Sequence, residues 1–401
     1  MKAGKKYELT EETKTIGGVV LHRIRALRDI ELADGEVVNA GSLGGWVGSE
    51  SNLSQDGSAW VSGEAMVCGS ARVCENARVC ENALVYDHAR IYGSAVVSGK
   101  AAVFGKAEVY DEAWVHGSAR IYGLAHVHEK ARVLNSARVF GKAFVYGETH
   151  VFGSAHVFGE ALVYGETAVL DDAKVYDEAQ VFGEACVCGS ALVCGKARVC
   201  GSADVGGNAS VFDEAAVDGS ARVCGEARVY GAAQISEAAQ ISGAAAVTDS
   251  ARVNGSARVY GSAAVTDSAH VTGSALVTGS ASVRGEAIVD EEAQVRDNAY
   301  VCDSAHVGGG AVVGGKAEVC GSAVVGGTAD YAVYKNTWSS MRHFTYTRSD
   351  RMWKVGCFRG TGAELIAKAY KDSELSGRCY EAVVRVQEAI DKAIEEKEAK
   401  R

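Results

Sequence analysis

Residues 100–141 read KAAVFG KAEVYD EAWVHG SARIYG LAHVHE KARVLN SARVFG, a six-residue pattern with alanine second and valine or isoleucine fourth. The pattern runs from Ala59 to Ala329 without an insertion. All 45 members of the valine column are Val or Ile, and only Thr149 and Thr167 depart from Ala in the alanine column. One repeat therefore dictates the structure of most of the chain.

A period of six excludes an α-helix, since apolar residues two apart match neither 3.6 nor 3.5 residues per turn. Ala and Val instead flank one variable residue, which is typical of a short strand with both side chains on one face. The Gly, Asp, Glu or Asn that follows permits the backbone angles of a corner. Three repeats make a triangular turn of 18 residues. The repeats predict an all-β solenoid of about 15 coils, roughly 70 Å long at about 4.8 Å per coil.

The composition places further limits on the chain. It contains no proline, which suits parallel strands that need every backbone N–H. No segment is long and apolar enough to cross a membrane, and Met1–Tyr7 lacks the apolar run of a signal peptide, so we predict a cytoplasmic protein without a membrane partner. The net charge of −10 argues against nonspecific coating of DNA by the whole molecule. The twelve cysteines are expected to be free thiols.

The pattern divides the chain into three domains. Residues 1–52 are predicted to form an N-terminal β cap, residues 53–330 the hexapeptide-repeat solenoid, and residues 331–401 a small α+β domain. A cap is needed because an open solenoid end exposes unpaired strand edges. Trp46 and Trp60 are expected to plug that end.

The C-terminal domain has its own signals and predicts a ββαα order. One strand is expected around Phe344–Tyr346 and a second at Met352–Phe358, joined by a hairpin. A capping box at Thr361–Glu364 opens a helix that ends near Glu374. Ser376-Gly377 is expected to separate it from a second helix.

The spacing Val-x-x-x-Ala resembles that of hexapeptide-repeat proteins, the family that includes many acyltransferases. The N-terminal region is similar to the start of the YdcK-like group of bacterial and phage proteins, often labelled transferases. The residues that carry this second resemblance are Asp29-Ile30, Ala40-Gly41-Ser42-Leu43-Gly44-Gly45-Trp46-Val47, Asn52-Leu53-Ser54-Gln55 and Ala59-Trp60-Val61. The resemblance covers roughly residues 7–330.

The resemblance implies a left-handed parallel β-helix of triangular section, and trimers by family analogy. It also raises an acyl-CoA-dependent acyltransferase as an alternative. Hexapeptide acyltransferases usually take their catalytic histidine from a loop extruded between coils, and no such loop interrupts these repeats. The histidines of these repeats are scattered singly along the chain. We therefore predict no catalytic residue and no cofactor.

Cysteines six apart, such as Cys68, Cys74 and Cys80, resemble a metal-binding spacing. In a triangular coil they lie on successive corners, too far apart to share one zinc ion, so we predict no metal site. Cys302 and Cys320 are 18 apart and stack, which makes neither a zinc site nor a proven disulfide. Cys186-Val-Cys188 is a redox candidate.

Columns 18 apart give a stronger signal. They predict two aromatic ladders on neighbouring corners and a basic stripe beside the first ladder. A stripe of this kind suits an anionic ligand or a protein partner, and the alternative is that its charges only keep an exposed sheet soluble. The first ladder is Tyr86, Phe104, Tyr122, Phe140, Phe158 and Tyr176; the second is Tyr92, Tyr110, His128, Tyr146, Tyr164 and Phe182; the stripe is Arg120, Arg138, His156 and Lys174.

Residues 335–360 interleave basic and aromatic side chains, as single-stranded nucleic acid sites often do. They therefore offer a second binding candidate, against the alternative that the aromatics pack on the two helices. The candidate residues are Arg342, Tyr346, Arg348, Arg351, Trp353, Lys354 and Arg359.

The sequence favours a non-enzymatic structural or binding protein: a rigid rod that self-associates through a flat face and presents the C-terminal module to a partner. The acyltransferase is one alternative. A protein that binds or sequesters nucleotides or nucleic acid, in a phage-associated setting, is another.

Overall fold

The computed structural model describes residues 4–400, which form two compact units divided between Cys224 and Gly225. The first unit contains the N-terminal cap and the repeats up to Cys224. The second contains the repeats from Gly225 and the C-terminal module. No helix among residues 4–400 is long and apolar enough to cross a membrane.

Each repeat forms a strand of two residues, the Val or Ile and the residue before it. In the first unit these strands recur every six residues from Trp60–Val61 to Arg222–Val223. In the second they run from Arg228–Val229 to Val324–Val325. The predicted parallel β-solenoid is confirmed, with about 16 turns of about 18 residues. Every Val or Ile of the column is fully buried.

Backbone hydrogen bonds link each turn to the next with a constant register. Arg120 pairs with Arg138 in parallel, 18 residues further on. The Arg120 N–H donates to the carbonyl of Ala137 at 2.9 Å, and the Tyr122 N–H donates to that of Val139 at 3.0 Å. Because the ladder uses nearly every strand N–H, proline would remove a bond wherever it stood in a strand.

The corners explain the alternation of glycine with acidic residues. Asp87 and Asp177 adopt positive φ of 58°, a region that most side chains avoid and Asp tolerates. Their carboxylates also accept the N–H of the corner residue one turn later: Gly105 N–H donates to Asp87 at 3.1 Å and Gly195 N–H donates to Asp177 at 3.2 Å. An acidic corner residue therefore accepts a hydrogen bond from a corner N–H that has no partner in the strand ladder.

The N-terminal cap is built from antiparallel strands. The first two pair as a long hairpin, and the second also pairs with the last. The first strand continues past Leu9 along its partner, with an irregularity in the register between Leu9 and Thr13. The cap strands are Tyr7–Ile16, Val19–Ala26, Ile30–Glu31, Val37–Val38 and Leu43–Val47, followed by a 3-10 turn at Glu50–Asn52.

The last cap strand joins the cap to the solenoid. It runs parallel to the first repeat strand of its sheet, with Trp46 opposite Met66. Trp46 and Trp60 are buried, as predicted. The Trp46 indole donates to Glu64 at 3.0 Å, and the Lys14 ammonium lies 4.7 Å from its ring centroid. The cap thus covers the strand edges of the first turn.

The C-terminal module is an antiparallel sheet packed on two helices. Its core contains Phe344, Tyr346, Trp353, Leu365 and Tyr380. The sheet has four strands where the sequence predicted two, because a strand comes before and another after the predicted hairpin. The strands are Tyr331–Lys335, His343–Thr347, Met352–Val355 and Phe358–Thr361, a 3-10 turn spans Thr328–Asp330, and the helices are α1, Gly362–Asp372, and α2, Glu374–Glu398.

The capping box of α1 is confirmed, since the Thr361 side chain accepts from the Glu364 N–H. The predicted break at Ser376-Gly377 is wrong. Ser373 separates the helices instead, because its hydroxyl accepts from the Ser376 N–H and starts α2. Gly377 then lies in the first turn of α2, against the Tyr370 ring.

One pair of cysteines departs from the prediction of free thiols. Cys302 and Cys320, stacked 18 residues apart in the second unit, form a disulfide. The other ten cysteines are free.

We predict that Val139→Asp lowers the free energy of unfolding by more than about 4 kcal/mol, because a carboxylate enters a fully buried position without a partner. Denaturant unfolding and limited proteolysis around residue 139 measure the effect. Val139→Ile is the matched control, since Ile121 occupies the same column one turn earlier. Equal protease resistance of the Asp and Ile variants would contradict the interior assignment.

The cap predicts a pH dependence through Lys6, whose ammonium donates to the Ala59 carbonyl at 2.8 Å. Burial lowers the pKa of Lys6 to about 8 from an ordinary 10.5. Between these values the unfolded chain binds a proton that the native chain does not, so stability rises as the pH increases above about 8.

Lys6→Met removes this rise, and Lys5→Met, at an exposed neighbour that pairs with Glu50, preserves it. Denaturant unfolding followed by tryptophan fluorescence between about pH 7 and pH 10, the range around these pKa values, provides the measurement. Parallel pH profiles for wild type and Lys6→Met would contradict the assignment.

Candidate anion-binding face

One sheet of the first unit brings the predicted basic stripe together. The strands that begin at Arg120, Arg138, His156 and Lys174 pair in parallel and in register. The two arginines and the lysine are exposed, and His156 is half-buried. We call the four consecutive repeats of this sheet, residues 100–105, 118–123, 136–141 and 154–159, the basic face.

The basic face contains no acidic residue in a chain whose net charge is −10. Its repeats read KAAVFG, SARIYG, SARVFG and SAHVFG. Glycine occupies all four corners of this stretch, whereas Asp87 and Asp177 occupy the corners before and after it. No carboxylate therefore closes the corners beside Arg120, Arg138 and His156, whereas Lys174 lies in the next repeat of the sheet, between Asp172 and Asp177.

The cations of the stripe also lack partners. Among residues 4–400, none of Arg120, Arg138 and Lys174 forms an ion pair. Some other cations of the first unit do: Lys130 pairs with Glu148 at 2.9 Å and Lys142 with Glu160 at 2.7 Å. Unpaired guanidinium groups in a row remain available to an external anion.

His156 differs from its neighbours in the stripe. Burial lowers the pKa of His156, and the positive charges of Arg138 and Lys174 lower it further. The imidazole is therefore neutral at neutral pH. The charge of the stripe comes from Arg120, Arg138 and Lys174, and His156 contributes hydrogen-bonding groups.

Both predicted aromatic ladders are confirmed. In the first ladder, ring centroids lie 4.8–4.9 Å apart and neighbouring planes differ by at most 4°. In the second the separations are 4.6–5.1 Å. Each inner ring is covered on both faces by its neighbours, so the ladder presents ring edges outward. A nucleobase needs an exposed ring face to stack.

The C-terminal candidates have a different environment. The rings of Tyr346 and Trp353 are buried in the module core, and the Tyr346 hydroxyl donates to Asp391. Neither ring is exposed for stacking on a base.

Three of the C-terminal arginines are held by carboxylates of the same module. Arg348 pairs with Glu398 at 2.7 Å, Arg351 pairs with Glu395 at 2.9 Å, and Arg359 pairs with Asp350 at 2.7 Å. Arg342 and Lys354 form no ion pair among residues 4–400. Of the five cationic candidates in the module, two are therefore unpaired, and they do not form the ordered row of the basic face.

The structure also brings together a serine and a histidine that sequence reasoning missed. Ser98 Oγ lies 2.9 Å from His116 Nδ1, and the Trp114 indole donates to the same oxygen at 3.3 Å. Ser98 is 4% exposed, and within residues 4–400 no carboxylate hydrogen-bonds to His116. A covered hydroxyl without an orienting acid does not form a hydrolytic site.

The cysteines follow the predicted geometry, with one exception. Cys68, Cys74 and Cys80 follow strands of three different sheets and do not meet. Cys186 and Cys188, however, lie close to Asp204 of the next turn, with their ligand atoms within 4.8 Å of one another. Burial raises the pKa of Cys186 to about 11, and neighbouring negative groups add to the effect. A thiol of this pKa is a weak nucleophile at neutral pH, which weakens the predicted redox role.

The parallel turns and the face that they present define a β-solenoid repeat protein. A family model described as the YdcK β-solenoid repeat matches residues 83–99 and 221–237. No curated protein matches the chain. Two segments of the repeat region are thus similar to the YdcK β-solenoid repeat, in keeping with the parallel β-solenoid of the structure.

We predict that Tyr122→Ala lowers the free energy of unfolding by about 1–3 kcal/mol, because it removes two ring contacts, to Phe104 and Phe140. Tyr122→Phe should be neutral, since both neighbours already lack a hydroxyl. Denaturant unfolding compares the variants. Equal stability of the Ala and Phe variants would show that the ladder contributes nothing beyond the backbone.

Proposed function

We propose that the protein is a non-enzymatic binding protein whose basic face binds a linear polyanion bearing carboxylate or sulfate groups. The observation that carries the proposal is the pair of unpaired arginines, Arg120 and Arg138, on a face without acidic residues. The sequence also favours a non-enzymatic binding protein, but with the C-terminal module as the binding surface. Here the binding surface is a face of the solenoid.

The spacing of the cations suits a repeating ligand. Neighbouring strands of a sheet lie about 4.8 Å apart, so Arg120 and Arg138 offer guanidinium groups at roughly that interval. A guanidinium binds a carboxylate or sulfate in a bidentate manner. Lys174, in the adjoining repeat that also carries Asp172 and Asp177, lies in the same row two turns beyond Arg138. An extended polymer can engage these groups together, where a single small anion engages one.

The groups beside the stripe fit the same ligand. Ser118, Ser136 and Ser154 precede the basic positions by two residues and supply hydroxyl groups. On the other side the first ladder presents ring edges, whose hydrogens carry partial positive charge. These edges favour anionic groups and offer no stacking surface, so the arrangement supports an acidic polymer over single-stranded nucleic acid.

The acyltransferase alternative has less support. Among residues 4–400 no loop interrupts the repeats, and Ser98–His116 is covered. Self-association through a flat face and a partner for the C-terminal module remain predictions that no contact of the described residues tests.

Heparin, a linear sulfated and carboxylated polymer, tests the proposal as a probe. We predict that Arg120→Ser with Arg138→Ser weakens heparin binding at least about tenfold and lowers the slope of log affinity against log salt, because two cations no longer release counterions. Calorimetric titration at several salt concentrations measures both quantities.

Arg252→Ser with Arg258→Ser is the matched control. It removes the same charge from two exposed arginines of the second unit that follow on successive repeats. The control should bind heparin as the wild type does. If both double variants lost the same heparin affinity, the effect would depend on net charge alone. That result would contradict a specific binding face. A single-stranded oligonucleotide that binds more tightly than heparin at equal salt would favour the nucleic-acid hypothesis instead.

A further inference from the structure

A second site lies on a different sheet of the first unit, where Cys186, Cys188 and Asp204 converge. We propose that these three residues bind one thiophilic divalent cation of the zinc type. The site is independent of the basic face and of the proposed polyanion.

Two consecutive turns place the donors. Cys186 and Cys188 flank Val187, whose side chain is buried, so both sulfurs point outward on the same side of the strand. Asp204 begins the paired strand one turn later and lies directly opposite Cys186. Cys188 Sγ is 3.9 Å from Asp204 Oδ1, and all three ligand atoms lie within 4.8 Å of one another.

These separations suit a tetrahedral ion. Zinc binds thiolate sulfur at about 2.3 Å and carboxylate oxygen at about 2.0–2.2 Å, which places two sulfurs about 3.8 Å apart and a sulfur and an oxygen about 3.5 Å apart. Small side-chain rotations bring the three donors to these distances. Binding releases the two thiol protons, and the fourth coordination position is left to water or an external ligand.

The neighbouring residues leave room and adjust the charge. Gly206 occupies the position one turn below Cys188, where an added Cβ would lie 3.0 Å from Cys188 Sγ. Arg222 Nη2 lies 3.5 Å from Asp204 Oδ2 and orients the carboxylate. Two thiolates, one carboxylate, a divalent ion and one guanidinium sum to a net charge of zero.

The arrangement is uncommon in this chain. Within residues 4–400 only one other group of three such side chains comes as close, namely Cys302, Asp303 and Cys320. There the two sulfurs are joined in the disulfide. Cys194 and Cys200 occupy corner positions like that of Cys188, but neither belongs to such a group.

Cobalt(II) is a direct probe, because its absorption reports tetrahedral geometry and thiolate ligation. The full chain is titrated anaerobically after reduction, in a Cys302→Ser/Cys320→Ser background that removes the second group. We expect one cobalt ion per chain with a thiolate-to-metal charge-transfer band, displaced by one equivalent of zinc. Cys188→Ser should weaken binding at least about tenfold and reduce the band. Asp204→Asn should weaken binding while the band persists.

Cys194→Ser with Cys200→Ser is the control, and it should leave stoichiometry, affinity and spectrum unchanged. Circular dichroism checks that each variant keeps the solenoid. Absence of a charge-transfer band in the background chain would overturn the proposal. An unchanged affinity in Cys186→Ser with Cys188→Ser would also overturn it, since the ion would then lie elsewhere.

Discussion

The hydrogen bond between one turn and the next is the interaction on which the structure depends. The N–H of the first residue of a repeat strand donates to a carbonyl 17 residues further along, as Arg120 does to Ala137. This bond sets the 18-residue register, and the register decides which side chains become neighbours. Fully buried Val and Ile fill the interior, and the contribution of any one turn depends on the turns next to it. Every surface feature of the solenoid is a consequence of that stacking.

The 18-residue register also determines which side chains lie side by side on each face of the solenoid. A residue type repeated at intervals of 18 becomes a row, so Arg120 and Arg138 form a basic stripe and the rings beside them form a ladder. Where an acidic corner recurs, its carboxylate accepts a corner N–H of the next turn. Where glycine replaces it, as at Gly123 and Gly141, the face loses its negative charge. The corner residue therefore determines both the backbone conformation at the corner and the charge of the face beside it.

Much of this could be predicted because the repeat is so regular. The period of six, the buried valine column and the ladders follow from spacing alone, and Trp46 and Trp60 follow from the need to cover a strand edge. The unpredicted features depend on contacts between different columns. Asp204 approaches Cys188 from 16 residues away, and Ser98 meets Trp114 by the same diagonal. These diagonals depend on side-chain rotamers, which spacing does not specify.

The C-terminal module was harder to predict because no repeat constrains it. Basic residues interleaved with aromatics are compatible with either a binding hairpin or a packed sheet. The structure has the packed sheet, because the rings of Tyr346 and Trp353 are buried in the core. Acidic residues of the same module pair with three of the arginines. Likewise, both Ser373 and Ser376-Gly377 are plausible helix breaks in sequence. The capping hydrogen bond of Ser373 selects the first.

The central claim is that residues 18 apart stack on one face of the first unit. The distance between spin labels introduced through unnatural amino acids at Leu84 and Leu192 tests it most directly, because six turns separate these outward positions in one sheet. Stacking at about 4.8 Å per turn predicts a single narrow distribution centred at about 29 Å. A broad distribution, or one centred far from that distance, would contradict the 18-residue register and the faces derived from it.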